Sequence, residues 1–176
     1  MANTKWVLDP SHSEVTFKVK HLMISNVKGE FKNFEGLIDG EDFTNATISA
    51  KIKAESIHTN DTERDNHLKS EDFFEVEKFP EITFKSTSLK KVSDDDYKLI
   101  GDITIKGITK EISLDTEFGG FMKDPYGNEK AGFSMNGKIN RKDFGLNWNA
   151  ALEAGGVLVG NDIKISAEVQ FVKQTS

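Results

Sequence analysis

The chain has no cysteine, so no disulfide, thiolate nucleophile or cysteine-ligated zinc is available to it, and its fold rests on packing alone. Positive charge is not in excess either. Lysine and arginine number 23 against 29 acidic residues, a net charge of −6, and they are scattered rather than gathered into a stripe that could track phosphates, so no nucleic-acid partner is expected. Nothing approaches the roughly 18 consecutive apolar residues of a membrane span. The longest uncharged small-apolar stretch, AGGVLVG at Ala154–Gly160, is broken by glycine. The start, MANTKWVLDPSHSE, lacks the basic beginning and apolar run of a secretory signal, which predicts a cytoplasmic protein. Catalytic signatures are missing as well. The four histidines, His12, His21, His58 and His67, form no HExxH pair, no serine sits in GxSxG, and Gly155-Gly156 with Gly160 reads as a turn rather than a phosphate loop. No metal, cofactor or catalytic residue is expected.

What the chain does have is alternation. Its 176 residues are 36% hydrophobic and suit a single domain over residues 1–176. Eight segments alternate apolar with polar residues, separated by turn chemistry. They are Ser13–Lys20, Val27–Asp39, Ala46–Ala54, Ile82–Val92, Tyr97–Ile105, Ile108–Phe118, Ala131–Ile139 and Ile163–Phe171. The second changes phase near Lys32–Asn33, where one extra residue, a β-bulge, restores a single apolar face.

Eight amphipathic strands with short connections stack as a sandwich or close as a barrel. The predicted fold is all-β, an eight-stranded antiparallel barrel with a short helical insertion between strands three and four. Along its inner face Phe17, Val19, Phe31, Phe34 and Phe84 stand beside Ile48, Ala50, Leu99, Gly101 and Ile103. Leu114, Phe133, Met135 and Val169 continue that face. Either the rings fill the space left by alanine and glycine, or the many small residues leave a hollow interior; the second reading is favoured.

The one long non-alternating connection runs from Glu55 to Glu81 and contains TERDNHLKSEDFF. Thr62 with Asp65 three residues on suggests a capping box, and Thr62–Lys69 about two helical turns, with a second short turn from Ser70. Arg64, His67 and Leu68 share a helical face. Phe73, Phe74, Val76 and Phe79 can seat the segment on a barrel end as a lid. Its polar run is either a catalytic or anionic-headgroup site, or simply the cap and ion pairs that hold the lid.

Four ordered blocks carry a family resemblance across nearly the whole chain: DPSHSEVTFKVKHLMISNVKGEF at Asp9–Phe31, TERDNHLKSEDFFEVEKFPEITFKST at Thr62–Thr87, GDITIKGITKEISL at Gly101–Leu114 and GFSMNGKINRKDFGL at Gly132–Leu146. The chain resembles the YceI-like family of lipocalin-like isoprenoid-binding proteins. The resemblance implies an elongated barrel whose apolar tunnel takes a polyisoprenoid or fatty-chain lipid. Phe74 of the insertion would join the wall residues named above as tunnel lining. His21, Arg64 and His67 would meet a headgroup, and the role implied is binding in lipid transport, storage or sequestration. Two other readings stand beside it: an enzyme acting on a hydrophobic molecule with Arg64, Asp65 and His67 at the tunnel mouth, or a stress-related interaction protein with a vestigial cavity. Edge strands would let two copies pair as a homodimer, against which the outward lysines work.

Overall fold

A computed structural model describes residues 4–22, 24–149 and 159–174. Among them one antiparallel sheet contains β1 (Lys5–Leu8), β2 (Glu14–His21), β3 (Ser25–Phe31), β4 (Phe34–Asp39), β5 (Thr47–Lys53) and β6 (Ile57–His58). After the helix α1 (Thr62–Lys69) come β7 (Glu81–Lys91), β8 (Asp96–Ile105), β9 (Ile108–Lys123), β10 (Glu129–Asn140) and β11 (Val159–Gln174).

Local breaks, not topology, raise the strand number above eight. β1 and β2 lie end to end along β11, with Leu8 opposite Phe171 and Glu14 opposite Glu168. β3 and β4 are likewise one stave, broken at Lys32–Asn33 where the phase changes; the extra residues expected there lie instead on the partner stave, since these two face the four residues Lys53–Ser56, and Asn33 O accepts from Lys53 N at 2.9 Å. β5 and β6 form a third, interrupted at Ala54–Ser56. With β7 to β11 this makes eight staves in an up-and-down meander, closed where β1 returns to pair with β11. Closure pairs the edges of the long staves, and of the edges on which a homodimer could form it leaves that of the two-residue β6, which pairs with β3 alone among the described strands. The first stave starts earlier than its alternation suggested because Asp9-Pro10 breaks the pattern between β1 and β2.

At that break Asp9 caps the turn Pro10–His12, accepting from Ser11 N at 3.1 Å and the Ser11 hydroxyl at 2.7 Å, with His12 Nδ1 at 2.8 Å. The Ser11 hydroxyl, then His12, lower the Asp9 pKa from 3.8 to about 2. A carboxyl whose pKa falls on folding stabilises the native state above its unfolded value and loses that contribution as pH drops through the folded one. About 1 kcal/mol, after allowance for solvent screening, should therefore be present above pH 4 and vanish towards pH 2. Ser11→Ala should shrink this acid-dependent loss in urea titrations; an unchanged loss would assign it elsewhere.

The β8–β9 hairpin turns through Lys106 and Gly107, both at positive φ (52° and 76°), and the Phe79 ring lies 2.8 Å from where a Gly107 Cβ would stand. The chain leading into β7 is thereby seated on the barrel end.

The interior divides into two halves. At the end where β1 begins and β11 finishes, Trp6, Phe34, Phe133 and Phe171 are buried with Phe43 and Phe118 packed against them. Phe43 and Phe133 meet edge to face at 5.4 Å between centroids, and Trp6 and Phe43 at 5.5 Å. This half is a solid plug. The other half, beneath α1, is walled by Phe31, Ile57, Ile82, Ile103, Ile105 and Ile139. Small wall residues do not by themselves make the hollow, contrary to the expectation from their number. A Cβ on Gly101 would stand 2.5 Å from the Phe84 ring, Phe17 covers Gly29 in the same way, and Leu114 covers Gly137. Each of these glycines lets a neighbour lie flat and so returns its space.

Candidate functional site

Alternation aims Phe17 and Val19 of β2, Val27 and Phe31 of β3, Ile82 of β7, Ile103 and Ile105 of β8, Ile139 of β10 and Ile163 of β11 into the unplugged half. They surround a cavity of about 670 Å³ that opens at the α1 end. Its roof carries Arg64, His67, Leu68, Phe73 and Phe74, and Arg141, Leu146, Trp148 and Val159 close one side.

The roof is held by a different set of bonds from the capping box expected. Asp61, extended at φ −145°, is the N-cap and accepts from Arg64 N at 3.1 Å, because Thr62 already has its place inside the first turn. Asp65 turns away from the helix start. It is buried at 8% exposure and accepts from Thr59 N at 2.8 Å and from the Thr59 hydroxyl, with His58 Nδ1 at 3.7 Å. The helix is thus tied to the chain leaving β6. After α1 the backbone folds back, Phe74 N donating to Leu68 O at 3.0 Å, which turns Phe73 and Phe74 inward; Phe74 meets Phe31 edge to face at 5.9 Å. Asp65→Ala leaves Thr59 N without its acceptor and should cost about 2–3 kcal/mol. Faster hydrogen exchange over residues 59–68 with little change in β8 and β9 is the expected signature; uniform exchange would mean that the roof does not move as a unit.

The cavity rim is polar. Lys20, His21, Asp61 and Glu63 reach it together with Arg64 and His67. Arg64 donates through Nε to the Thr59 hydroxyl at 2.8 Å and through a terminal nitrogen to Thr59 O at 2.6 Å. His67 Nε2 lies 2.9 Å from Asp72 Oδ2, and its ring stands edge-on to Phe73 and Trp148 at 5.1 and 4.7 Å.

Arg141 is the site residue that sequence reasoning missed. It is 1% exposed and lines the cavity. Its guanidinium donates to four carbonyls: Gly160 O at 2.9 Å, Trp148 O at 2.8 Å, Val159 O at 3.3 Å, and Leu146 O. No carboxylate pairs with it among the described residues, and burial pushes its pKa down. The available signal was an arginine two residues past the apolar strand ending at Ile139, inside the Gly132–Leu146 block.

A family model for the YceI-like domain matches residues 6–171. The chain belongs to the YceI-like family. A UPF0312 protein of Staphylococcus aureus strain N315 is 43% identical over 171 residues, 96% of this chain and 97% of that protein. The crystal structure of the YCEI protein of Campylobacter jejuni is 38% identical, with a TM-score of 0.76 over 89% of this chain and 90% of that one. A polyisoprenoid binding domain from Saccharophagus degradans, implicated in plant cell wall breakdown, shares the fold at 13% identity and a TM-score of 0.71, covering 96% and 98% of the two chains.

Within this YceI-like barrel the residues named from the sequence separate by height. Phe17, Val19, Phe31, Phe74 and Ile103 line the cavity. Phe34, Phe133 and Val169, with Ile48 and Met135 against them, belong to the plug. Ala50, Phe84, Leu99, Gly101 and Leu114 lie elsewhere on the wall and do not line the cavity. Alternation reports which face a side chain takes and says nothing about its height on the barrel axis. His21, Arg64 and His67 do come together at the rim. The turn read at Gly155-Gly156 lies outside the described residues. Among those residues no helix is long and apolar enough to cross a membrane.

Proposed function

We propose that this YceI-like protein binds a long isoprenoid or similar single-chain lipid, tail first, for transport, storage or sequestration. The observation that carries the reading is an apolar cavity whose polar lining, apart from the buried Arg141, gathers at the α1 end, the arrangement of a site that takes a greasy chain and leaves a head outside. At about 30 Å³ per carbon, close to the share of a water molecule, its volume holds about twenty carbons, or roughly four isoprene units. Each sheltered unit contributes about 3–4 kcal/mol before ordering costs, so four suffice for tight binding and any longer tail protrudes. Phe17, Val19, Phe31, Phe74 and Ile103 contact the tail in this reading, while His21, Arg64 and His67 orient the head. The polyisoprenoid-binding relative from Saccharophagus degradans supports the ligand class.

Turnover finds less support. Arg64 is engaged on Thr59, Asp65 on Thr59 and His58, and His67 on Asp72, so each member of the proposed catalytic trio already holds the roof in place. Lipid extraction of the purified protein, with identification by mass, tests the proposal. A bound prenyl or long-chain lipid near one equivalent is expected. A protein that is empty and also refuses added prenols would overturn it.

A further inference from the structure

Strand register places four lysines side by side on the outer wall: Lys28 of β3 opposite Lys18 of β2, Lys18 opposite Lys164 of β11, and Lys164 opposite Lys138 of β10. Neighbouring strands stand about 4.8 Å apart, so the row spans roughly 14 Å. Like charges directly opposite destabilise a sheet. Among the described residues only Lys138 has an acidic partner, Asp162 at 3.7 Å. The wall here is concave, and Lys98 faces the same hollow; Glu30 and Asp115 are its acids. On a chain of net charge −6 this local excess of cations is a directed feature.

A second feature adjoins it. β2 and β3, which hold Lys18 and Lys28 of the row, end in a hairpin tip where Leu22 is 41% exposed and Ile24 is 89% exposed. Leu22 is held at φ 56°, a conformation that non-glycine residues adopt infrequently. The tip lies about 13 Å along the strand from Lys18, next to Lys20 and His21 on the cavity rim.

We infer that this face docks on an anionic lipid bilayer, the lysine row on the phosphates and the side chains of Leu22 and Ile24 in the acyl boundary, which sets the cavity mouth against the membrane. A bilayer offers an anionic layer with an apolar one about 5–8 Å deeper, which a strand tilted to the surface spans over its roughly 13 Å. A soluble polyanion would satisfy the row and leave Ile24 in water, and an apolar protein groove would take the tip and leave four like charges unmatched. The inference does not depend on what the cavity holds.

Flotation with vesicles tests it. The protein is expected to float with phosphatidylcholine vesicles containing about one-third phosphatidylglycerol and not with phosphatidylcholine alone. Binding should collapse between about 0.1 and 1 M salt, as the screening length shrinks from about 10 to 3 Å. Ile24→Asp, and separately Lys18→Glu with Lys164→Glu, should each lower the bound fraction more than about tenfold with circular dichroism unchanged. Should the double charge reversal not fold, Lys28→Gln with Lys164→Gln replaces it. Wild-type protein that fails to float at low salt overturns the inference, as do variants that float undiminished. Loss in the lysine variants but not in Ile24→Asp would overturn the bilayer in favour of a soluble polyanion.

Discussion

Val19→Trp protein is expected to fold normally and to lose its long-chain ligand. Val19 is half-buried only because the hollow beside it is open, and its ladder partners Val27 and Ile163 line the same space. An indole grown from this position enters vacant volume rather than a packed neighbour, so stability should change by less than about 1 kcal/mol. It occupies the room of several tail carbons just below the rim. At about 0.8 kcal/mol per methylene, displacing six of them removes roughly 5 kcal/mol, three decades or more in affinity. Titration with a prenol of about twenty carbons reads this directly. Unaltered affinity would place the chain somewhere other than this cavity. Gly101→Leu, an obvious plug when judged from the strand pattern, would be uninformative. Its side chain meets the Phe84 ring and Lys85 O at 2.5 and 2.6 Å and would break the wall before it filled any space.

Arg141→Leu should be the most destabilising single change around the cavity. Four carbonyls lose a charged donor at once, in a place where water cannot easily replace it. Hydrogen bonds to a charged group and the orphaned acceptors together suggest a loss of about 3–5 kcal/mol. For a chain of this length that corresponds to a fall of roughly 10 °C in thermal midpoint. Arg141→Lys should rescue little, since a single ammonium cannot reach acceptors that a planar fork spans. A lysine variant as stable as the parent would show that the charge, and not the fork, is what matters. Lipid affinity should fall along with stability, because Leu146, Trp148 and Val159 are both carbonyl partners of Arg141 and cavity wall.

How far the site was legible in the sequence follows from which interactions are local. Phe17 and Val19 announce their inward face by a period of two, and the phase change at Lys32–Asn33 announces the break between β3 and β4, since both are properties of a few consecutive residues. The roof was legible as an insertion for the same reason, with Phe73 and Phe74 as its apolar foot. Its cap was misplaced by one residue: Thr62 and Asp61 both suit an N-cap, and the choice between them depends on where Asp65 goes, which is to Thr59 and the end of β6. Phe34 and Phe31 have the same pattern and lie three residues apart, yet one belongs to the plug and the other to the cavity.

Sequence alone determined eight amphipathic staves, the break at Lys32–Asn33 and the polar insertion that covers one end. It also carried the four blocks that mark the family. The tertiary structure decided which half of the barrel is filled, where Arg141 finds its carbonyls, and that lysines 18, 28, 138 and 164 stand in one row. Those outcomes depend on the stagger between strands far apart in the chain, and periodicity within a strand contains no information about stagger.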